Sequence, residues 1–284
     1  MWGDDLHGRA LSPAVPCHTY SVLPANLTGL LARLLAEQRA ILDDHLLGVY
    51  LRGSLALGDF DPHTSDVDLL CVVDQPLSDA VFDALRVMHQ RLGTLDHLLA
   101  HDIELAYLPR ASAWEWHPWE QHPTLARGEA LGWNEHGANW LLERWAVLQG
   151  KQALFGPPPD TFFAPIQAAA VGAAVRARLR DWVEFARRPE DPAWREPLPH
   201  TAYVIETMCR ILATLERGAL LSKPEAVRWG VAHLPEPWAG LARRVPAWKA
   251  DQTVDADANA QAQAFILWCA TQADLEGASE TEPC

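Results

Sequence analysis

Apolar residues along the chain change their spacing several times, and each change marks an element. Leu27, Leu30, Leu31, Leu34, Leu35, Ile41 and Leu42 recur at i, i+3, i+4 intervals and predict an amphipathic helix over 26–44, with Asn26 as its cap. Residues 46–51 (LLGVYL) then form a short apolar run that ends in Arg52-Gly53-Ser54, the pattern of a buried strand entering a tight turn. Residues 55–65 are punctuated by Gly, Asp and Pro and read as loop, and 67–73 (VDLLCVV) read as a second strand. A helix is expected over 78–92, with Val81, Phe82, Leu85, Met88 and Leu92 on one face and Ser78 as its cap. Residues 103–108 alternate as a third strand.

Beyond Pro109 the strand signal disappears. Residues 110–135 are rich in Trp, His and Glu with weak periodicity, and read as a long loop with helical pieces before a helix over 138–149. The run Phe155-Gly156-Pro157-Pro158-Pro159-Asp160 is the strongest punctuation in the chain and is taken as a domain boundary, dividing 1–156 from 157–284. The second part carries four expected helices, over 166–187, 201–217, 223–233 and 256–274, the third opening on the capping box Ser222-Lys223-Pro224-Glu225. Residues 277–284 are expected to fray. The fold class that follows is α/β (or α+β), then all-α.

Composition narrows the class. With 284 residues, 49% apolar, 21% charged and a net charge of −14, the chain is an ordinary globular one. No apolar run reaches the ~20 residues a membrane helix needs, and the acidic first residues lack a signal-peptide pattern. Five cysteines without CxxC spacing predict free thiols rather than a disulfide framework or zinc site, hence a cytoplasmic protein. The acidic balance disfavours nucleic acid and suits a small cationic substrate. A monomer is expected.

The segment that carries chemistry is Gly53-Ser54-x10-Ser65-Asp66-Val67-Asp68, followed 36 residues after Asp68 by Glu104. Residues i and i+2 of a strand share a face about 6.6 Å apart, so Asp66 and Asp68 present two carboxylates side by side. If 103–108 pairs beside them, Glu104 adds a third. Such acids repel and raise one another's pKa unless a cation lies between them, and hard oxygen ligands of this kind suit Mg²⁺ shared with phosphates. Gly53 lets the backbone approach a phosphate closely, and Ser54 offers an N–H and a hydroxyl.

This signature resembles that of the nucleotidyltransferases related to DNA polymerase β. Ile103-Glu104-Leu105, the Leu154-Phe155-Gly156-Pro157 turn and the stretch TMCRILATLERGALLSKPEAVRWGVAHLP (207–235) resemble the streptomycin/spectinomycin type of aminoglycoside adenylyltransferase, over roughly 45–110 and 140–250. The resemblance implies a nucleotidyltransferase domain with a small mixed sheet, then a helical-bundle domain. It also implies that ATP donates AMP to an antibiotic hydroxyl. Mapped residue by residue, Gly53 and Ser54 would hold the triphosphate, Asp66 and Asp68 would bind Mg²⁺, Ser65 would flank the metal, and Glu104 would be the general base. Arg210 and Lys223 would reach back to the phosphates from the helical domain. Lys223 also begins a capped helix, whose N-terminus favours anions. The acceptor pocket would draw on 111–136 and on the region of Glu196 and His200.

Several competing readings accompany these. Arg210 lies four residues after Glu206, the spacing of an ordinary ion pair. His97 and His101 have chelating spacing, but HLLAH lacks the glutamate of HExxH, so surface or core roles are expected. Trp140, Trp145, Trp182 and Trp229 read as core, while one or two of Trp114, Trp116, Trp119 and Trp133 would line the acceptor site. Cys71 and Cys209 read as structural thiols. Functional alternatives are a protein-modifying, AMP-transferring regulator of the antitoxin kind and a nucleotide-binding protein without turnover.

Overall fold

The structure is a computed structural model that describes residue 23 and residues 25–273. The expected fraying at 277–284, and Cys17 and Cys284 of the five cysteines, lie outside the described residues. Helix α1 (Ala25–Leu42) leads into strand β1 (Leu46–Leu51), a short helix α2 (Gly53–Leu57), strand β2 (Val67–Val73), helix α3 (Asp79–Gly93), strand β3 (Ile103–Pro109) and a short helix α4 (Arg110–Trp114). Strands β4 (Glu120–Leu125) and β5 (Gly132–His136), helix α5 (Asn139–Gly150) and strand β6 (Ala153–Phe155) complete a six-stranded sheet of order β5-β4-β3-β2-β1-β6. Only β2 and β3 run parallel, across the α3 crossover; the other neighbours are antiparallel, so the sheet is mixed as expected.

Side-chain alternation places the two layers. Val49 and Leu51 of β1, Leu69, Cys71 and Val73 of β2, and Leu105 and Tyr107 of β3 face α1 and α3. Tyr50, Leu70, Val72, Ala106 and Leu108 point the other way, onto Val147 of α5 and Phe162 and Phe163. Helices α6 (Ala168–Ala186), α7 (Leu198–Arg217), α8 (Lys223–His233), α9 (Trp238–Trp248) and α10 (Ala256–Gln272) follow. They enclose a separate core that includes Leu179, Met208, Leu212, Phe265 and Ile266. Helix α5 serves both: its Val147 lies under the sheet, while Leu142 and Trp145 pack against the helical core.

Three readings of the pattern are corrected. The stretch 110–135 holds β4 and most of β5 rather than loop: one face of β4 buries the polar His122 and Thr124, with Leu125 its one buried aliphatic side chain, and Thr124 Oγ1 lies 2.9 Å from His136 Nε2. Hydropathy cannot see a strand whose buried face is polar and mutually bonded. The loop expected over 55–65 begins only after α2. Helix α9 has no counterpart in the sequence reading: it starts directly after Pro235 and Pro237 and contains Pro246, yet buries Leu241, Ala242, Val245 and Trp248. Among the tryptophans expected in the core, Trp182 and Trp229 are buried, but Trp140 is sandwiched in a polar stack described below. His97 and His101 form no metal site: His97 Nε2 lies 3.3 Å from the Asn26 carbonyl. Cys71, Cys209 and Cys269 are free and buried, and burial pushes the Cys71 and Cys209 thiols up to about 12.

A buried polar chain crosses the interface of α1, α3 and the sheet: Gln38 Nε2 donates to Tyr107 Oη at 2.9 Å, and His89 Nε2 lies 2.8 Å from the same oxygen. Burial pushes the His89 pKa down to about 4. Because the unfolded chain takes up this proton at about 6.5 while the native chain does not, the contribution is complete above that pH and is lost as the pH falls toward 4. Urea midpoints are therefore expected to fall between pH 6.5 and 4, with up to roughly 3 kcal/mol of the loss coming from this histidine. His89→Gln should flatten the dependence, and an unchanged slope in that variant would remove the histidine from the account.

Candidate active site

The parallel register of β2 and β3 sets Asp68 directly opposite Glu104. Asp66 precedes β2 on the same side, so three carboxylates gather at one end of the sheet. The end of β1 closes against them: Arg52 N–H donates to the Asp68 carbonyl at 3.0 Å, and Gly53 then adopts φ +57°. A Cβ at Gly53 would collide with the Asp68 carboxylate, its Cγ lying only 2.9 Å away, so only glycine brings the backbone this close. Ser54 Oγ is buried and without a hydrogen-bond partner. Ser65 Oγ accepts from Asp61 N–H at 3.1 Å, closing the loop that delivers Asp66.

The helical half faces this edge. The capping box expected at α8 is present, with Glu225 N–H donating to Ser222 Oγ at 3.3 Å and Ser222 N–H to Glu225 Oε2 at 3.1 Å. The same Ser222 hydroxyl donates to the Asp59 carboxylate of the other half. Gln149 of α5 donates to the Leu220 carbonyl at 2.9 Å and accepts from its N–H at 3.0 Å. Lys223 Nζ rests 4.9 Å above the Tyr203 ring, and Arg210 Nε donates to the Leu221 carbonyl at 3.1 Å. The competing reading of Arg210, an ion pair with Glu206, does not hold: Glu206 instead meets Lys249 Nζ at 2.5 Å. Gly53, Ser54, Ser65, Asp66, Asp68, Glu104, Arg210 and Lys223 all line one cavity of about 740 Å³ between the two halves.

Its electrostatic centre is a residue to which the sequence reading assigned no role. The Arg52 guanidinium, only 8% exposed, lies 3.0 Å from Asp68 Oδ1, 2.9 Å from Glu143 Oε2 and 3.6 Å from Glu104 Oε2, and packs 5.5 Å from the Trp140 ring centroid. Trp140 in turn stacks on buried His136 at 3.5 Å. Burial works against the Arg52 charge, but the carboxylates of Asp68, Glu143 and Glu104 outweigh it and raise its pKa. Burial raises the pKa of Asp68 and Glu104 against the pull of Arg52, and of Asp66 against the pull of Arg127, which also holds Asp102 at 2.8 Å. Arg52 directly precedes Gly53 at a strand end, the only local signal of its place; Glu143 and Arg127 had none.

These raised pKa values, the partnerless Ser54 hydroxyl and the close approach at Gly53 fit a site that receives a cation and an anion together. Among the described residues no group of three His, Cys, Asp or Glu is arranged to hold a metal ion by itself. Of the regions expected at the acceptor pocket, 111–136 contributes Arg127 to the cavity wall, whereas Glu196 is exposed, His200 packs near Phe185 and Trp194, and none of Trp114, Trp116, Trp119 and Trp133 lines the cavity. No helix among the described residues is long and apolar enough to cross a membrane.

Comparison with known proteins agrees with this layout. Residues 35–117 match the nucleotidyltransferase domain model, and residues 161–269 match the model for the aminoglycoside adenylyltransferase C-terminal domain. The spectinomycin 9-adenylyltransferases of Staphylococcus aureus strains N315 and Mu50 are 22% identical over 201 residues, 67% of this chain and 73% of theirs. The crystal structure of the spectinomycin adenyltransferase AAD(9) from Enterococcus faecialis with ATP and spectinomycin superposes with a TM-score of 0.67 at 15% identity. The match covers 87% of this chain and 99% of that one, and shows a shared fold.

Removing the Arg52 charge leaves the buried carboxylates facing one another. Arg52→Met is expected to lower unfolding free energy at pH 8 by about 3–5 kcal/mol. Without the guanidinium the native pKa values of Asp68 and Glu104 rise further, so the deficit is full above them and shrinks toward pH 5 as protons are taken up. Urea titrations of variant and wild type at the two pH values check this; an equal deficit at both would show that lost packing, not charge, dominates.

Proposed function

We propose, for a chain that belongs to the aminoglycoside adenylyltransferase family of nucleotidyltransferases, that it transfers AMP from ATP to a hydroxyl of an aminoglycoside or aminocyclitol of the streptomycin/spectinomycin type in a Mg²⁺-dependent reaction. The observation that carries this is an interdomain cavity in which sheet-borne carboxylates face Arg210 and Lys223. The reading also draws on relatives named as spectinomycin 9-adenylyltransferases and on the neighbour's complex with ATP and spectinomycin. Membership of this family weighs against the protein-modifying regulator.

In the proposed reaction the acceptor oxygen attacks the α-phosphorus of ATP. An O–P bond forms, the bond from the α-phosphorus to the bridging oxygen breaks, and pyrophosphate leaves. Glu104 takes the hydroxyl proton, a role consistent with burial raising its pKa above the ordinary carboxylate value. Gly53 and Ser54 receive the phosphates, Ser65 steadies the loop before Asp66, and Arg210 and Lys223 complete the anion cradle from the helical half. Asp66 and Asp68 would hold Mg²⁺, which when bound supplies neutralisation of phosphate charge.

Purified protein given ATP, Mg²⁺ and a panel of aminoglycosides is expected to release pyrophosphate with at least one of them; release with none would overturn the reading. Asp66→Asn combined with Asp68→Asn should abolish the Mg²⁺ dependence of ATP binding seen by calorimetry, whereas equal affinity with and without the ion in wild type would sink the metal assignment. Glu104→Gln keeps the shape but cannot accept a proton. It should lower kcat by about 10²–10⁴-fold with little change in ATP affinity, and retention of more than about a tenth of kcat, with chemistry rate-limiting, would remove Glu104 from the role.

A further inference from the structure

The helical wall of the cavity carries a carboxylate that the proposed chemistry leaves unused. Glu206, in the middle of α7, is 4% exposed yet lines the cavity, on the same helix as Tyr203 and Arg210. Arg210 is oriented by the Leu221 carbonyl and Lys223 by the Tyr203 ring. Glu206 meets a cation supplied by the chain itself: the ammonium of Lys249, 2.5 Å away, immediately beyond the last residue of α9. A carboxylate this buried needs a positive partner, since an isolated one is costly to desolvate. Lys249 is a replaceable partner. Its side chain is one-third exposed, it sits at a helix end followed by the non-helical residues 250–255, and lysine regains rotamer freedom on release.

We infer that Glu206 is an ammonium-binding subsite for the acceptor and that Lys249 is the internal ammonium that fills it until a substrate amine takes its place. The inference rests on the transferase reading above and deepens it: the acceptor must present a protonated amine to the α7 wall while its hydroxyl faces Glu104. Exchange of one ammonium for another keeps Glu206 paired throughout. A hydroxyl substrate without such an amine gains nothing from displacing Lys249, so the pair acts as a filter for amine-bearing acceptors.

The test is calorimetric binding of spectinomycin and streptomycin, without ATP, to wild type, Glu206→Gln and Lys249→Met, with ATP affinity measured alongside. Glu206→Gln should weaken acceptor binding about tenfold or more, the range of a hydrogen bond to a charged group. Lys249→Met should strengthen it several-fold by removing the competitor, an effect that a merely structural ion pair would not produce. ATP affinity should hold in both. Where Lys249→Met is poorly soluble, Lys249→Gln makes the same comparison. Unchanged acceptor affinity in Glu206→Gln, or weaker binding in Lys249→Met, overturns the subsite. A loss of ATP affinity in Lys249→Met also overturns it and moves Lys249 to the phosphates. If wild type turns over an acceptor while both variants bind it normally, the subsite fails and the transferase reading stands. If wild type neither binds nor modifies any amine-bearing acceptor, both fail.

Discussion

Several acidic side chains converge on one end of a sheet, and the structure depends on the buried Arg52 guanidinium set among them. Arg52 reaches Asp68, Glu143 and Glu104 at once, and its remaining Nε leans on the Leu69 carbonyl at 3.4 Å. Like charges at such range in a poorly solvated place would otherwise protonate or push apart. Arginine suits the task because its planar fork can meet several oxygens and its charge survives burial. Neighbouring features follow from holding that fork in place. Gly53 must lack a side chain because Asp68 is drawn against the backbone, and Trp140 lies flat between the guanidinium and His136.

Glu143 extends the same constraint into the second half of the molecule. It lies on α5, the helix whose Val147 packs beneath the sheet and whose Leu142 and Trp145 enter the helical core. The Arg52–Glu143 bond therefore ties the acidic edge to the element that both cores share. A displacement of α5 relative to the sheet would be felt at Asp68 and Glu104 without any contact between those residues and the helical half.

Much of this was legible in the sequence where local rules and global packing agree. Helix α3 is capped by Ser78 and buries Leu85, Met88 and Leu92 as its spacing implies, and the capping box at Ser222 opens α8 as its residues imply. Gly53-Ser54 and the Asp66/Asp68 pair lie where one strand ends and another begins, so a short-range motif sufficed to find them. Legibility failed where stability comes from polar pairs made at a distance. Strand β4 is held by Thr124 against His136, and Glu143 matters only because Arg52, 91 residues earlier, is brought to it. No periodicity encodes such partnerships. Composition is as poor a guide at Trp114, Trp116, Trp119 and Trp133: of these candidates for the acceptor wall, none lines the cavity.

The two halves of the site are complementary in charge, which makes their docking inseparable from the state of the cavity. The sheet edge supplies mostly carboxylates and the helical wall mostly cations, so each half alone carries an unbalanced field that the other reduces. Direct bonds among the described residues help to hold their approach: Gln149 with the Leu220 backbone, and Ser222 with Asp59. Ser222 is also the cap of α8, accepting from Glu225 N–H while donating to Asp59. One hydroxyl thus orders the helix turn that presents Lys223 and fastens that turn to the loop leading from α2 to Asp66. Whatever loosens the junction also loosens the orientation of Lys223, and a polyanion bridging Lys223 and the Gly53–Ser54 backbone would tighten both. The junction of the two halves and the placement of Lys223 are therefore coupled, because the Ser222 side chain takes part in both.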